Sequence, residues 1–169
     1  MCCNTDLDVI KGRSMGDALK RRIKQQRFES PLQEAMLNLL VAAAHVRERT
    51  DRVLEPHGIT QPQYNVLRIL RGAHPQGYAR CDIAERMIDR APDVTRLLDR
   101  LERQGLVARD RSAADRRLSI AVITAKGLTL LDTIDPVLRQ SQAYLADRIH
   151  ARDRVELSRI CEGIYDDQI

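Results

Sequence analysis

The sequence predicts a mainly helical chain with one small β-hairpin, an α+β fold in which a compact central module sits between helical arms. Three observations predict it. Apolar residues recur at helical spacing over most of the 169 residues. Aromatic residues make up only 3%, with no Trp and one Phe (Phe28), so Leu, Ile, Val and Ala must build the core, which suits helices better than a β-sandwich. Between Leu106 and Ile123 the spacing changes to alternation around a polar tip running from Ser112 to Arg117.

The elements follow in chain order. Ser14 to Asp17 has the form of a capping box and predicts a short basic helix to about Phe28. Ser30 as N-cap, Pro31 at the first helical position and Gln33 at the third predict a long helix to about Leu54. Its apolar stripe is Leu32, Met36, Leu39, Leu40, Ala43, Val46 and Val53, and Pro56-His57-Gly58 stops it. Thr60 or Gln61 opens a third helix with Tyr64, Val66, Leu67 and Leu70 inward, ending at Gly72. A turn at His74 to Gly77 precedes a short helix from Cys81 to Met87, whose start lacks a capping hydroxyl. Pro92 opens the next helix, and Gly105 ends it. Strands at Leu106-Val107 and at Leu118 to Ile123 form the hairpin. Thr124 caps a long helix toward Ile149, which Asp135-Pro136 should kink or break. A last helix spans about Ala151 to Tyr165.

Composition narrows the function. No apolar run approaches the roughly 20 residues that span a bilayer. The N-terminus lacks the apolar core of a signal peptide, so a cytoplasmic protein with no membrane partner is expected. Cys2, Cys3, Cys81 and Cys161 show neither disulfide nor zinc spacing and read as reduced thiols. Cys81, near a predicted helix start, is the better placed for the alternative of a redox-sensing thiol. A Gly-rich phosphate loop, a nucleophile elbow and paired catalytic carboxylates are all missing, which argues against an enzyme. The histidines are not spaced as metal ligands, and no cofactor or metal is expected.

Charge and helical geometry point to DNA. Residues 11–27 carry seven cations and one anion, and residues 62–126 carry thirteen cations and eight anions. Residues 127–169 are net acidic, with five cations and eight anions. A polyanion would therefore meet the extension or the middle of the chain. On the helix opened by Pro92, residues advance by about 100° each, so Val94, Leu97, Leu98 and Leu101 share one face. Pro92, Arg96, Asp99 and Arg103 point the other way, with Thr95 and Arg100 on the flanks. Such a face suits the major groove, although a solvated helix laced with Asp/Arg pairs would look similar. The hairpin tip carries Asp115, Arg116 and Arg117, and arginine sheds water readily enough to enter a narrow minor groove, although a disordered, solvated tip would carry the same residues. Two short helices, a hairpin and a long helix in this order make a winged helix-turn-helix, and the long apolar stripe of the N-terminal helix suggests a dimer interface.

Several segments in register carry a family resemblance. They are Gln63 and Leu67; Ile83-Ala84-Glu85; Thr95 through Glu102; Gly105 through Arg109; Asp115-Arg116-Arg117; and Leu118 through Gly127. Together they resemble the MarR family of bacterial transcription regulators over about residues 31–165. The resemblance implies a homodimer on a pseudo-palindromic operator in double-stranded DNA. It implies bases or phosphates facing Thr95, Arg96 and Arg100, with Pro92, Asp93 and Arg103 nearby, and a wing of Asp115, Arg116 and Arg117. It divides the chain into a basic extension at 1–30, dimerisation helices at 31–58 and 125–169, and a DNA-binding domain at 59–124.

The family further implies a repressor released by a small aromatic or anionic ligand. His45, Arg49, His57 and Tyr64 are the candidates to hold it. The alternative places Tyr64 in the core and leaves His45 and Arg49 solvated. The chain departs from the pattern at Ala91, a poor cap, so Pro92 and Asp93 must fix the helix start. The basic extension is additional, and the early reactive cysteine of peroxide-sensing relatives is missing. The competing function is a winged-helix protein-interaction module that does not bind DNA.

Overall fold

The computed structural model describes residues 17–89, 93–111 and 119–166, without the side chains of Asp110 and Arg111. Among the described residues seven α-helices and three strands run in the order α1 (Asp17–Ile23), α2 (Pro31–Leu54), α3 (Gln61–Gly72), β1 (Tyr78–Ala79), α4 (Arg80–Arg86), α5 (Val94–Arg103), β2 (Val107–Arg111), β3 (Ser119–Ile123), α6 (Ala125–Ala146) and α7 (Ala151–Tyr165). A 3-10 turn at Glu55–His57 follows α2. The chain divides into two compact units, up to Glu48 and from Arg49 onward.

In the first unit α1 is shorter than its sequence suggests. Ser14 lies outside the described residues, and Lys24 takes a left-handed φ of 55°, which stops the helix at Ile23, five residues before the expected Phe28. α2 starts where expected. The Gln33 N–H donates to Ser30 Oγ at 3.1 Å, while the Gln33 side chain accepts from the Glu29 N–H at 2.7 Å. Leu32, Met36, Leu39, Leu40 and Val46 of α2 remain exposed.

The second unit holds the main core. Leu54, Val66, Leu67, Leu70, Ile83, Leu101, Leu131 and Ile134 are fully buried in one cluster. Burying each such side chain stabilises by about 1.5–3 kcal/mol, before ordering costs. α3 opens on a capping box: the Thr60 N–H donates to Gln63 Oε1 at 2.9 Å. This bond explains why Gln63 is buried although polar.

Five boundaries and one strand differ from the sequence expectation. α5 begins at Val94, not at Pro92, because the Asp93 carboxylate caps it, accepting the Arg96 N–H at 3.2 Å. Pro92 itself lies outside the described residues. α4 begins one residue early, at Arg80, and ends at Arg86, one residue before the expected Met87. β2 begins at Val107 rather than Leu106, and Leu118, expected to open the other strand, is not among the described residues. α6 runs unbroken through Pro136 and stops at Ala146, short of Ile149. Ile134 and Leu138 are buried on either side of that proline, so core packing outweighs the lost backbone bond. Finally, Tyr78–Ala79 forms an unforeseen strand that pairs with β3, giving an antiparallel sheet in the order β1-β3-β2.

Gly77 makes that third strand possible. Its φ is +73°, and a Cβ there would sit 2.2 Å from the Ala121 carbonyl oxygen. α7 buries none of its residues, leaving Val155, Leu157, Ile160, Ile164 and Tyr165 exposed. Among the described residues no helix is long and apolar enough to cross a membrane.

Candidate nucleic-acid interface

α5 is strongly two-sided. Val94, Leu97, Leu98 and Leu101 are buried, as 100° spacing requires, while Asp93, Thr95, Arg96, Arg100 and Arg103 are exposed. The buried face packs on α3, α4 and β2. That packing holds the helix while its polar face meets solvent.

Local contacts order this polar face. Asp93 uses one carboxylate oxygen to cap the helix and the other to pair with Arg96 Nε at 3.1 Å. The pair is largely exposed, so it orients Arg96 more than it stabilises the fold. Arg103 Nε donates to the Asp99 carbonyl at 3.2 Å. Thr95 lines a cleft of about 380 Å³ with Ala79, Arg80, Cys81, Leu98, Arg109 and Ser119.

The hairpin lies beside α5. β2 and β3 pair antiparallel from Val107↔Ile123 to Arg111↔Ser119. Arg109 of β2 reaches α5 and pairs with Asp99 Oδ1 at 2.7 Å and with Glu102 Oε2. The Glu102 hydrogen bond, aided by Asp99, pushes the Arg109 pKa above the usual arginine value. Asp115, Arg116 and Arg117, expected at the hairpin tip, lie outside the described residues.

The ligand candidates occupy different surroundings. His45 is exposed on α2. Arg49 stacks over the Tyr144 ring at 3.8 Å and donates from Nη2 to the Ser141 carbonyl at 3.2 Å. His57 lines a second cleft with Gln104, Leu106, Lys126, Leu130, Thr129 and Thr133. Tyr64 is half-buried and donates its hydroxyl to Asp135 Oδ1 at 2.7 Å. Asp135 also pairs with Arg71 Nη1 at 2.7 Å. Arg49 and Tyr64 therefore both reach α6, through different residues.

Tyr64 and Asp135 titrate away from their ordinary ranges. Burial, then the hydrogen bond to Asp135, pushes the Tyr64 hydroxyl up to about 12. Burial alone would raise Asp135, but the Tyr64 hydroxyl and the Arg71 guanidinium outweigh it and hold the carboxyl below the usual range. Sequence reasoning missed Asp135, which stood out only as the residue before a helix-interior proline. It also read Arg109 only as part of a motif.

Comparisons with known proteins agree with the geometry. The model of the MarR family matches residues 59–119. The crystal structure of a MarR transcription factor from Planctomyces limnophilus is 37% identical, with 80% of this chain and 98% of that one covered at a TM-score of 0.64. An HTH-type transcriptional repressor of Mycobacterium tuberculosis is 28% identical over 124 residues, 73% of this chain and 88% of that protein. The fold also matches Sco3205 of Streptomyces coelicolor, a MarR family regulator solved in complex with DNA, at a TM-score of 0.69 and 21% identity over 85% of this chain and 94% of that one.

Proposed function

Because the chain belongs to the MarR family of transcription factors, we propose that it is a cytoplasmic, sequence-specific DNA-binding repressor acting as a homodimer. One observation carries this reading. α5 turns an apolar face into the core and leaves Thr95, Arg96, Arg100 and Arg103 exposed beside an antiparallel hairpin. A helix so mounted can enter the major groove, and the hairpin tip with Asp115, Arg116 and Arg117 can reach the adjacent minor groove.

In this reading Thr95, Arg96 and Arg100 face bases or phosphates. Asp93 sets the helix start just after Pro92, and Arg103 reaches the backbone. Residues 59–124 read DNA, 31–58 and 125–169 pair the protomers, and 1–30 form a basic extension. The exposed apolar residues of α2 and of α7 support pairing, since a lone protomer leaves both stripes in water. Two lobes would then meet half-sites about one helical turn apart. A small aromatic or anionic effector would release the DNA. His45, Arg49, His57 and Tyr64 are the candidates to hold it.

A gel shift tests the reading with DNA selected from the region upstream of the gene. Wild-type protein should bind, and Arg117→Ala should weaken binding by roughly 1–3 kcal/mol, or about 5- to 150-fold. Failure of the wild type to bind any such DNA at low salt would favour a protein-interaction module instead.

A further inference from the structure

The root of the hairpin is held by backbone groups. The Leu106 N–H donates to the Leu101 carbonyl at 2.9 Å, and the Thr124 N–H donates to the Leu106 carbonyl at 3.1 Å. The Thr124 hydroxyl donates to the Gly105 carbonyl at 2.8 Å. These bonds set where the hairpin leaves α5. Farther along, β1 pairs with β3 at Ala121 and Ile120, and Ala121 is buried, so β3 is anchored as well.

Arg109 adds a direct side-chain tie from β2 to α5. It stands two residues beyond the strand start, opposite Ala121. From there its guanidinium reaches back to two carboxylates of α5, three residues apart on one helix face. Nε donates to Glu102 Oε2 at 2.9 Å, and Nη2 engages both that oxygen and Asp99 Oδ1, the latter at 2.7 Å. The Arg109 side chain is 26% exposed, against 45% for Asp99 and 39% for Glu102. A planar fork engaging two acceptors fixes direction as well as distance, which a lysine ammonium cannot do.

Resting on the DNA-binding reading above, we propose that Arg109 is a positioning residue that locks the hairpin at a fixed angle to α5, so that helix and hairpin meet the duplex as one rigid body. Exposed ion pairs contribute little to global stability. The lock therefore acts on geometry, and its loss should change DNA contacts far more than folding.

The test uses Arg109→Lys and Arg109→Gln in the full chain. The first readout needs no DNA. Spin labels at Arg103 on α5 and Ser119 on β3, in a cysteine-free background diluted with unlabelled protein, report the helix–hairpin distance. Both variants should broaden that distribution, with thermal midpoints within a few degrees of wild type. The second readout is a hydroxyl-radical footprint on the selected operator. Both variants should lose protection on the hairpin side and bind roughly ten- to a hundredfold more weakly. Since Arg109→Lys keeps the charge, simple neutralisation of Asp99 and Glu102 predicts a wild-type result for it. An unchanged distance distribution in Arg109→Lys overturns the lock even if wild-type protein binds DNA. Broadening in both variants upholds the lock even if wild-type protein binds none, and in that case the DNA-binding reading fails instead.

Discussion

Replacing Tyr64 by Phe isolates one interaction whose size the geometry sets. Phe fills the same volume, so no cavity opens, and the change removes only the hydroxyl that donates to Asp135 at 2.7 Å. Hydrogen bonds to charged groups contribute about 1.5–3 kcal/mol. The acceptor is 17% exposed and keeps its Arg71 partner, which moves the expectation to the lower end of that range or just below it, about 1–2 kcal/mol. For a chain of this length each kcal/mol shifts the thermal midpoint by roughly 2–4 °C, so the drop at pH 7 should be about 2–8 °C. Circular dichroism melts at fixed protomer concentration measure it, because association would make the midpoint concentration-dependent.

The pH dependence of that gap has a definite sign. Asp135 sits below the usual carboxylate range, so its contribution is present above that range and is lost as pH falls through its folded pKa. Tyr64 is raised from its ordinary value of 10.0 to about 12, so its contribution is full below pH 10 and is lost as pH rises toward 12. Wild type and Tyr64→Phe should therefore differ most between these limits and converge at both ends. Equal midpoints at pH 7, or a gap that widens above pH 10, would refute the reasoning.

Other substitutions probe the fold and the assembly. Gly77→Ala places a Cβ 2.2 Å from the Ala121 oxygen at a φ of +73°, and should destabilise by about 2 kcal/mol or more in a denaturant melt. Asp93→Ala removes the α5 cap and the Arg96 partner, and should cost about 0.5–2 kcal/mol of stability together with DNA affinity. Ile160→Asp puts a charge into the exposed apolar stripe of α7, and light scattering should show the proposed homodimer shifting toward monomer. A wild-type mass for that variant would remove α7 from the interface.

Much of the fold was legible because its signals are local. The four buried residues of α5 follow from 100° spacing alone, and Ser30, Thr60 and Thr124 stand where sequence capping rules place them. β1 was not legible, since two residues carry no period and their pairing with β3 is a contact across more than forty positions. Pro136 misled for a related reason: the buried Ile134 and Leu138 that hold α6 together are a tertiary effect. At the candidate interface, the exposed Thr95, Arg96 and Arg100 were foreseen. The ties among Tyr64, Asp135 and Arg71 were not, because they join residues 71 and 64 positions apart with no sequence pattern between them.

The central claim is that α5 enters the major groove, and methylation interference tests it most directly. Dimethyl sulfate places a methyl on guanine N7, which lies in that groove. The account predicts that methylation blocks binding at guanines in two half-sites about one helical turn apart. Tight, saturable binding that ignores N7 methylation throughout the protected site would contradict it.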